Sequence, residues 1–169
     1  MRMPILWSDV PQLGKGAMDC QTDSTLERLV AIVRSQAKLL QTMLELTERL
    51  QQHLIAFDAP AIEQSAHEQE LLLERLGEFE SERIAITAAL LGITPSEART
   101  ITLRQLCAHM PEHVCTELSL LVTELGEQLK QLHLANSINR LLALRGRNSI
   151  QATLEFIRER NLHAINTAL

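Results

Sequence analysis

The sequence predicts an all-α fold: three long helices in an elongated antiparallel, coiled-coil-like bundle, with a short helical insert between helices two and three. Three observations predict it. Leu, Ala, Glu, Gln and Arg dominate a chain that is 46% hydrophobic but only 2% aromatic, the composition of long helices and coiled coils. Apolar residues recur at spacings of three and four through three long segments, the mark of helices buried along one broad face. Helix starts and stops are confined to a few places, around Asp58, Gly92, Thr102 and Pro111.

Taken in order, residues 1–23 carry Pro4, Pro11, Gly14 and Gly16 and show no period, so they read as a flexible extension. The first helix is expected to open at Ser24, with Glu27 three residues on completing a capping box. Its seam runs Leu26, Leu29, Val33, Ala37, Leu40 and Leu44, with a second stripe at Leu39, Met43, Leu46, Leu50 and Leu54. It closes near Phe57. Asp58 then caps helix two, with Pro60 in its first turn. Helix two is expected over about residues 59–91, with a seam of Ile62, Leu72, Leu73, Leu76, Phe79, Ile86 and Leu90, and Gly92 as its C′ residue. The acidic run on its first half reads as a solvated face. Over residues 93–110, Thr94-Pro95-Ser96-Glu97 is a capping box with Pro at the first helical position, and Thr102 with Gln105 repeats the signal. Pro111 opens helix three, which continues to near the C-terminus.

Helices one and two of about 33 residues each would be about 50 Å long, at 1.5 Å per residue, whereas helix three could reach about 80 Å. If helix three lies antiparallel to helix two, its partner surface ends near residue 144. There the chain reads Arg145-Gly146-Arg147-Asn148, and glycine inside a helix costs about 1 kcal/mol relative to alanine. The bundle is therefore expected over 24–146, with 147–169 as an amphipathic overhang. Its stripe of Ile150, Leu154, Ile157 and Ile165 needs covering, by a bend back onto the bundle or by another protein.

The seam of helix three reads Val114, Leu118, Leu121, Leu125, Leu129, Leu132, Asn136, Asn139, Ala143, Gly146, Ile150. Asparagine is a poor helix-interior residue, and a polar seam residue costs stability while fixing register or partner choice. Three roles stay open for Asn136 and Asn139: fixing bundle register, contacting water or the insert, and recognising a partner.

Composition also excludes function classes. Three Phe, one Trp and no Tyr leave no stacking platform for bases, and a net charge of −5 argues against general nucleic-acid binding. Cys20, Cys107 and Cys115 form no disulfide framework and fit a reducing cytosol. Charged or polar residues interrupt every apolar run well short of the roughly 18 needed to span a membrane. The N-terminal apolar run is too short for a signal peptide.

Two constellations suggest chemistry. Cys107, His109, His113 and Cys115 are all zinc-ligand types, but finger spacing is absent and Pro111 interrupts them. Two thiols and two surface histidines beside a helix start is the simpler reading. His133 on a helical bundle suggests a phosphotransfer site, yet Asn136 and Ser137 stand where such sites place Lys and Gly. No metal, cofactor or catalytic residue is expected.

Read together, several stretches resemble the FlgN-type flagellar export chaperones. They are the long first helix closing on Phe57-Asp58; Glu70-Leu71-Leu72 through Leu76, then Glu80, Arg83 and Leu90-Leu91-Gly92; Thr102-Leu103 with Leu106; and Asn136-x-x-Asn139-x-Leu141-Leu142. The resemblance covers about residues 24–160. It implies a cytoplasmic helical chaperone without catalysis, whose C-terminal segment binds the terminal helices of hook-associated proteins and which meets the flagellar export apparatus. With no Tyr in the chain, any such meeting is made without a tyrosine. Asn136, Asn139 and Leu142 carry the motif. The partner-binding candidates are Ile150, Leu154, Ile157 and Leu162, which supply helix-in-groove anchors, and Arg145, Arg147, Arg158 and Arg160, a basic rim suited to an acidic segment. A structural coiled-coil adaptor acting by self-association is the alternative, and a histidine phosphotransfer module a third reading.

Overall fold

A computed structural model describes the backbone of residues 20–108 and 110–167, and the side chains of residues 23–108 and 110–160. The element order is α1 (Cys20–Ala56), α2 (Ala59–Leu91), α3 (Pro95–Ala98), α4 (Leu103–Cys107) and α5 (Glu112–Thr167). It is an all-α protein in which three long helices pack together. Most of the expected N-terminal extension lies outside the described residues. The last part of it, from Cys20, is already helical, so Ser24 and Glu27 sit inside α1 rather than capping it.

The remaining helix ends follow from local chemistry. α1 stops where Phe57 turns into the left-handed region, at φ 56°. The amide of Asp58 donates to the carbonyl of His53 (3.1 Å) and that of Phe57 to Leu54 (3.4 Å), a Schellman closure that satisfies the last carbonyls of the helix. Asp58 caps α2 by accepting from the Ala61 amide through Oδ1 at 3.2 Å. Gly92 takes φ 65° at the end of α2, and the Ile93 amide donates to Ala88. Both capping boxes of the insert are formed: Thr94 with Glu97 opens α3, and Thr102 with Gln105 opens α4. Hydrogen bonds from the Thr94 side chain and amide hold the Glu97 carboxyl below its ordinary range.

The chain divides into two compact units, Met1–Gln41 with Leu73–Gln128, and Thr42–Leu72 with Leu129–Leu169. In the first, the insert closes a core of Leu26, Leu29, Val33, Ile86, Leu106 and Leu118. Here α1 and α2 run antiparallel, joined by Arg28 to Glu82 and by Gln36 to Glu80, while Arg34 pairs with Glu117 of α5. Arg83 is buried, and its guanidinium donates twice to Glu80, at 2.8 and 2.7 Å. That hydrogen bonding holds the Glu80 carboxyl below its ordinary value, with burial opposing. The buried cation is thus neutralised by a half-exposed partner, one way a charge is tolerated inside.

In the second unit one residue ties three helices together. Thr47 of α1 is fully buried. Its hydroxyl donates to the Met43 carbonyl at 2.7 Å and accepts from Gln69 Nε2 of α2 at 3.0 Å. Its carbonyl accepts from Asn139 Nδ2 of α5 at 2.8 Å. A slip of either neighbouring helix by one position would break these bonds, so the cluster specifies register as a buried polar seam residue does in coiled coils.

The seams differ from the expected ones in a regular way. The seam of α5 runs through Val114, Leu118, Leu121, Leu125, Gln128, Leu132, Ala135, Asn139, Leu142 and Gly146, all buried or half-buried, an unbroken alternation of four and three. The expectation followed the apolar Leu129 in place of Gln128, and so placed Asn136 and Ala143 inside as well. Leu129, Asn136 and Ala143 are exposed. The heptad overrides the local preference for an apolar residue: Gln128 is buried with its Nε2 donating to Glu124 at 3.2 Å. Only one asparagine of the pair therefore enters the core. In α2 the same rule puts Ser65, Leu72, Leu76, Phe79, Arg83 and Ile86 inward and leaves Leu73 exposed, contrary to its expected seam position.

Candidate partner-binding site

The uncovered end of α5 starts beside the α1–α2 turn. Phe57 occupies a left-handed position where glycine is the usual residue, and a bulky side chain there costs on the order of 1–2 kcal/mol. Its ring lies over Gly146 of α5: a Cβ added to Gly146 would stand 3.1 Å from Phe57 Cε1. Gly146 thus has a packing reason. It makes room for the ring at the turn, and α5 continues through it without a break to Thr167. The cost of glycine within the helix is thus accompanied by a contact with Phe57, which no local pattern discloses.

Beyond Gly146, every described side chain of residues 147–160 is exposed. Ile150, Leu154 and Ile157 are 56, 61 and 48% exposed. At 100° per residue they fall within about 80° of Gly146 on the helix circumference, on the side that carries Asn139. The face of α5 that is buried upstream is therefore continued downstream as an uncovered apolar face. The stripe is not folded back onto the bundle as ordinary core over these residues. A basic rim accompanies it: Arg145, Arg147, Arg158 and Arg160 are all exposed. The guanidinium of Arg160 stands 5.7 Å from the ring centroid of Phe156, within cation–π range.

Phe156 is 59% exposed and was missed in the sequence because it stands off the stripe defined by Ile150, Leu154 and Ile157. Phe57 was read only as a helix end. The side chains of Leu162 and Ile165 lie outside the described residues. Of the motif residues, Asn139 is buried with Oδ1 unpartnered, Leu142 is half-buried and Asn136 exposed.

The other constellations are placed as follows. Cys107 is buried, with Sγ 3.9 Å from the Cys115 carbonyl, and burial pushes its thiol above the ordinary value. His113 is exposed and His109 lies outside the described residues. Among the described residues no group of three or more metal-ligand side chains forms. His133 is exposed on α5, away from the buried seam positions. Among the described residues, no helix is long and apolar enough to cross a membrane.

No curated protein and no solved structure matches the chain. The family model described as FlgN protein matches residues 18–167, a span that takes in all five helices. With that match over most of its length, and with long helices packed as a bundle, the chain belongs to the FlgN family of flagellar export chaperones.

Proposed function

We propose that this chaperone acts in the cytoplasm, binding the terminal helices of hook-associated flagellar proteins along its C-terminal segment, residues 147–169, and keeping them competent for export. The carrying observation is the uncovered face of Ile150, Leu154 and Ile157, flanked by arginines. Apolar anchors at spacings of four and three are what a helix needs to receive a second amphipathic helix. Each such side chain gains about 2 kcal/mol when fully buried, so these three supply about 6 kcal/mol toward a complex before the cost of association is met. Covering the partner's helix also removes its apolar surface from water until it is handed to the export apparatus.

Truncation after Arg145, or Ile150→Asp with Ile157→Asp, tests the reading. Binding to a hook-associated protein, measured by titration calorimetry, is expected to fall at least about 100-fold, because a carboxylate must then be buried unpaired. The melting temperature of the free protein is expected to shift by less than about 2 °C, since both isoleucines are exposed. Unchanged affinity would remove the site from this face. Loss of self-association alone would support the adaptor reading.

A further inference from the structure

Phe57 and Gly146 are each a locally unfavourable choice, and they explain one another only in part. Glycine at position 57 would relax the turn, and alanine at position 146 would strengthen the helix. The pair instead holds an aromatic ring on α5 while leaving that ring 59% exposed. A ring kept for bundle packing alone would be covered. Strain retained in a turn while a large apolar group stays in water is a reason to look for a ligand of that group.

We propose that Phe57 is a docking anchor for the partner: one end of an amphipathic helix from another protein packs on the exposed side of its ring, and the rest of that helix lies along Ile150, Leu154 and Ile157. This rests on the function proposed above and adds a residue from the α1–α2 turn to the site. Ile150 follows Gly146 by four residues, about 6 Å along the helix, and Ile157 by eleven, about 17 Å. The ring therefore stands where the uncovered face begins, and the four groups match about three turns of a bound helix. Aromatic side chains, phenylalanine among them, are enriched in such interfaces relative to the rest of the surface. Charge selects the occupant. Residues 145–160 carry four arginines against two glutamates, in a chain of net charge −5. An acidic-flanked helix is steered to this end, whereas the same arginine-rimmed face of a second copy is repelled from it.

The test uses the full chain and synthetic peptides copying the terminal segments of the hook-associated proteins of the same genome. Phe57→Gly is expected to weaken peptide binding at least about tenfold, with a melting temperature equal to or above that of the wild type, because glycine suits the left-handed turn. Gly146→Ala, which pushes a methyl against the ring, is expected to weaken binding several-fold without lowering the melting temperature. Ile150→Asp is the control on the site itself. If it loses binding while Phe57→Gly binds as the wild type does, the role of Phe57 is overturned and the site stands. If no peptide binds the wild type, or Ile150→Asp binds normally, the site falls and the anchor with it. A marked drop in the melting temperature of Phe57→Gly would make the ring bundle packing and overturn the proposal. So would a change in the oligomeric state of the free protein by sedimentation, or a loss of binding to anionic vesicles with peptide binding intact.

Discussion

Leu118→Ala lowers the unfolding free energy by about 3 kcal/mol or more, the range for a leucine removed from a packed core. Leu120→Ala, two residues away, changes it by no more than about 0.5 kcal/mol. Leu118 is fully buried in the core that α1, α2 and the insert complete, whereas Leu120 is among the most exposed leucines described. Truncating Leu118 loses the transfer free energy of the side chain and leaves a cavity lined by neighbours fixed on several elements. For a chain of this length the loss corresponds to a fall of about 10 °C in melting temperature. Urea or thermal denaturation followed by helical circular dichroism reads both variants. Equal effects would mean that the seam of α5 is not the one described.

Asn139→Asp has an expected effect of similar size for a different reason. Asn139 donates to the Thr47 carbonyl from a buried position, 6% exposed. A carboxylate there loses the donor, faces a carbonyl oxygen and has no cation among the hydrogen-bond partners of this cluster. The cost is about 3 kcal/mol or more at neutral pH. Burial raises the folded-state pKa of the introduced acid, so the deficit is present above that pKa. As the pH falls through it the acid takes up a proton, can donate to Thr47, and the deficit is relieved down to the ordinary carboxylate range. Asn139→Leu has no charge to bury and removes the unpartnered Oδ1, so it is expected to lie within about 1 kcal/mol of the wild type or above it. Its expected cost is uniqueness of register, seen as broadened spectra or a changed oligomeric state. Asn136→Leu, on the exposed side, is expected to change stability by no more than about 0.5 kcal/mol. Denaturation of these variants at pH 7 and pH 5 checks the ordering.

These cases also mark what the sequence discloses. Apart from the start of α1, where Ser24 and Glu27 lie inside the helix, helix ends were legible because their chemistry is local: Asp58, Thr94 and Thr102 each satisfy amides within a few residues, and Gly92 supplies the left-handed turn itself. The limits of α2 follow directly from such signals. Register was less legible, because the heptad is kept by burying polar residues that composition would place outside. Gln128 and Arg83 enter the seam through partners at 124 and 80, and Asn139 through a partner on another helix. Choosing the nearest apolar residue instead moved the expected seam of α5 onto Leu129 and Asn136. The turn was the least legible. Phenylalanine carries no signature for a left-handed conformation, and nothing near Gly146 in the sequence points to Phe57. The apolar stripe beyond residue 146 was visible from its spacing, and its exposure depends only on what the folded chain leaves uncovered.

Hydrogen exchange across α5, in the free protein and with a hook-associated protein bound, tests the central claim most directly. A helix with every described side chain in water has little beyond its own backbone bonds to hold it, and such helices are marginal. The amides of residues 147–160 are therefore expected to exchange far faster than those around Leu118 in the free protein, and to become protected in the complex. Slow exchange through residue 160 without a partner, or protection on binding that falls elsewhere and leaves 147–160 unchanged, would contradict the account.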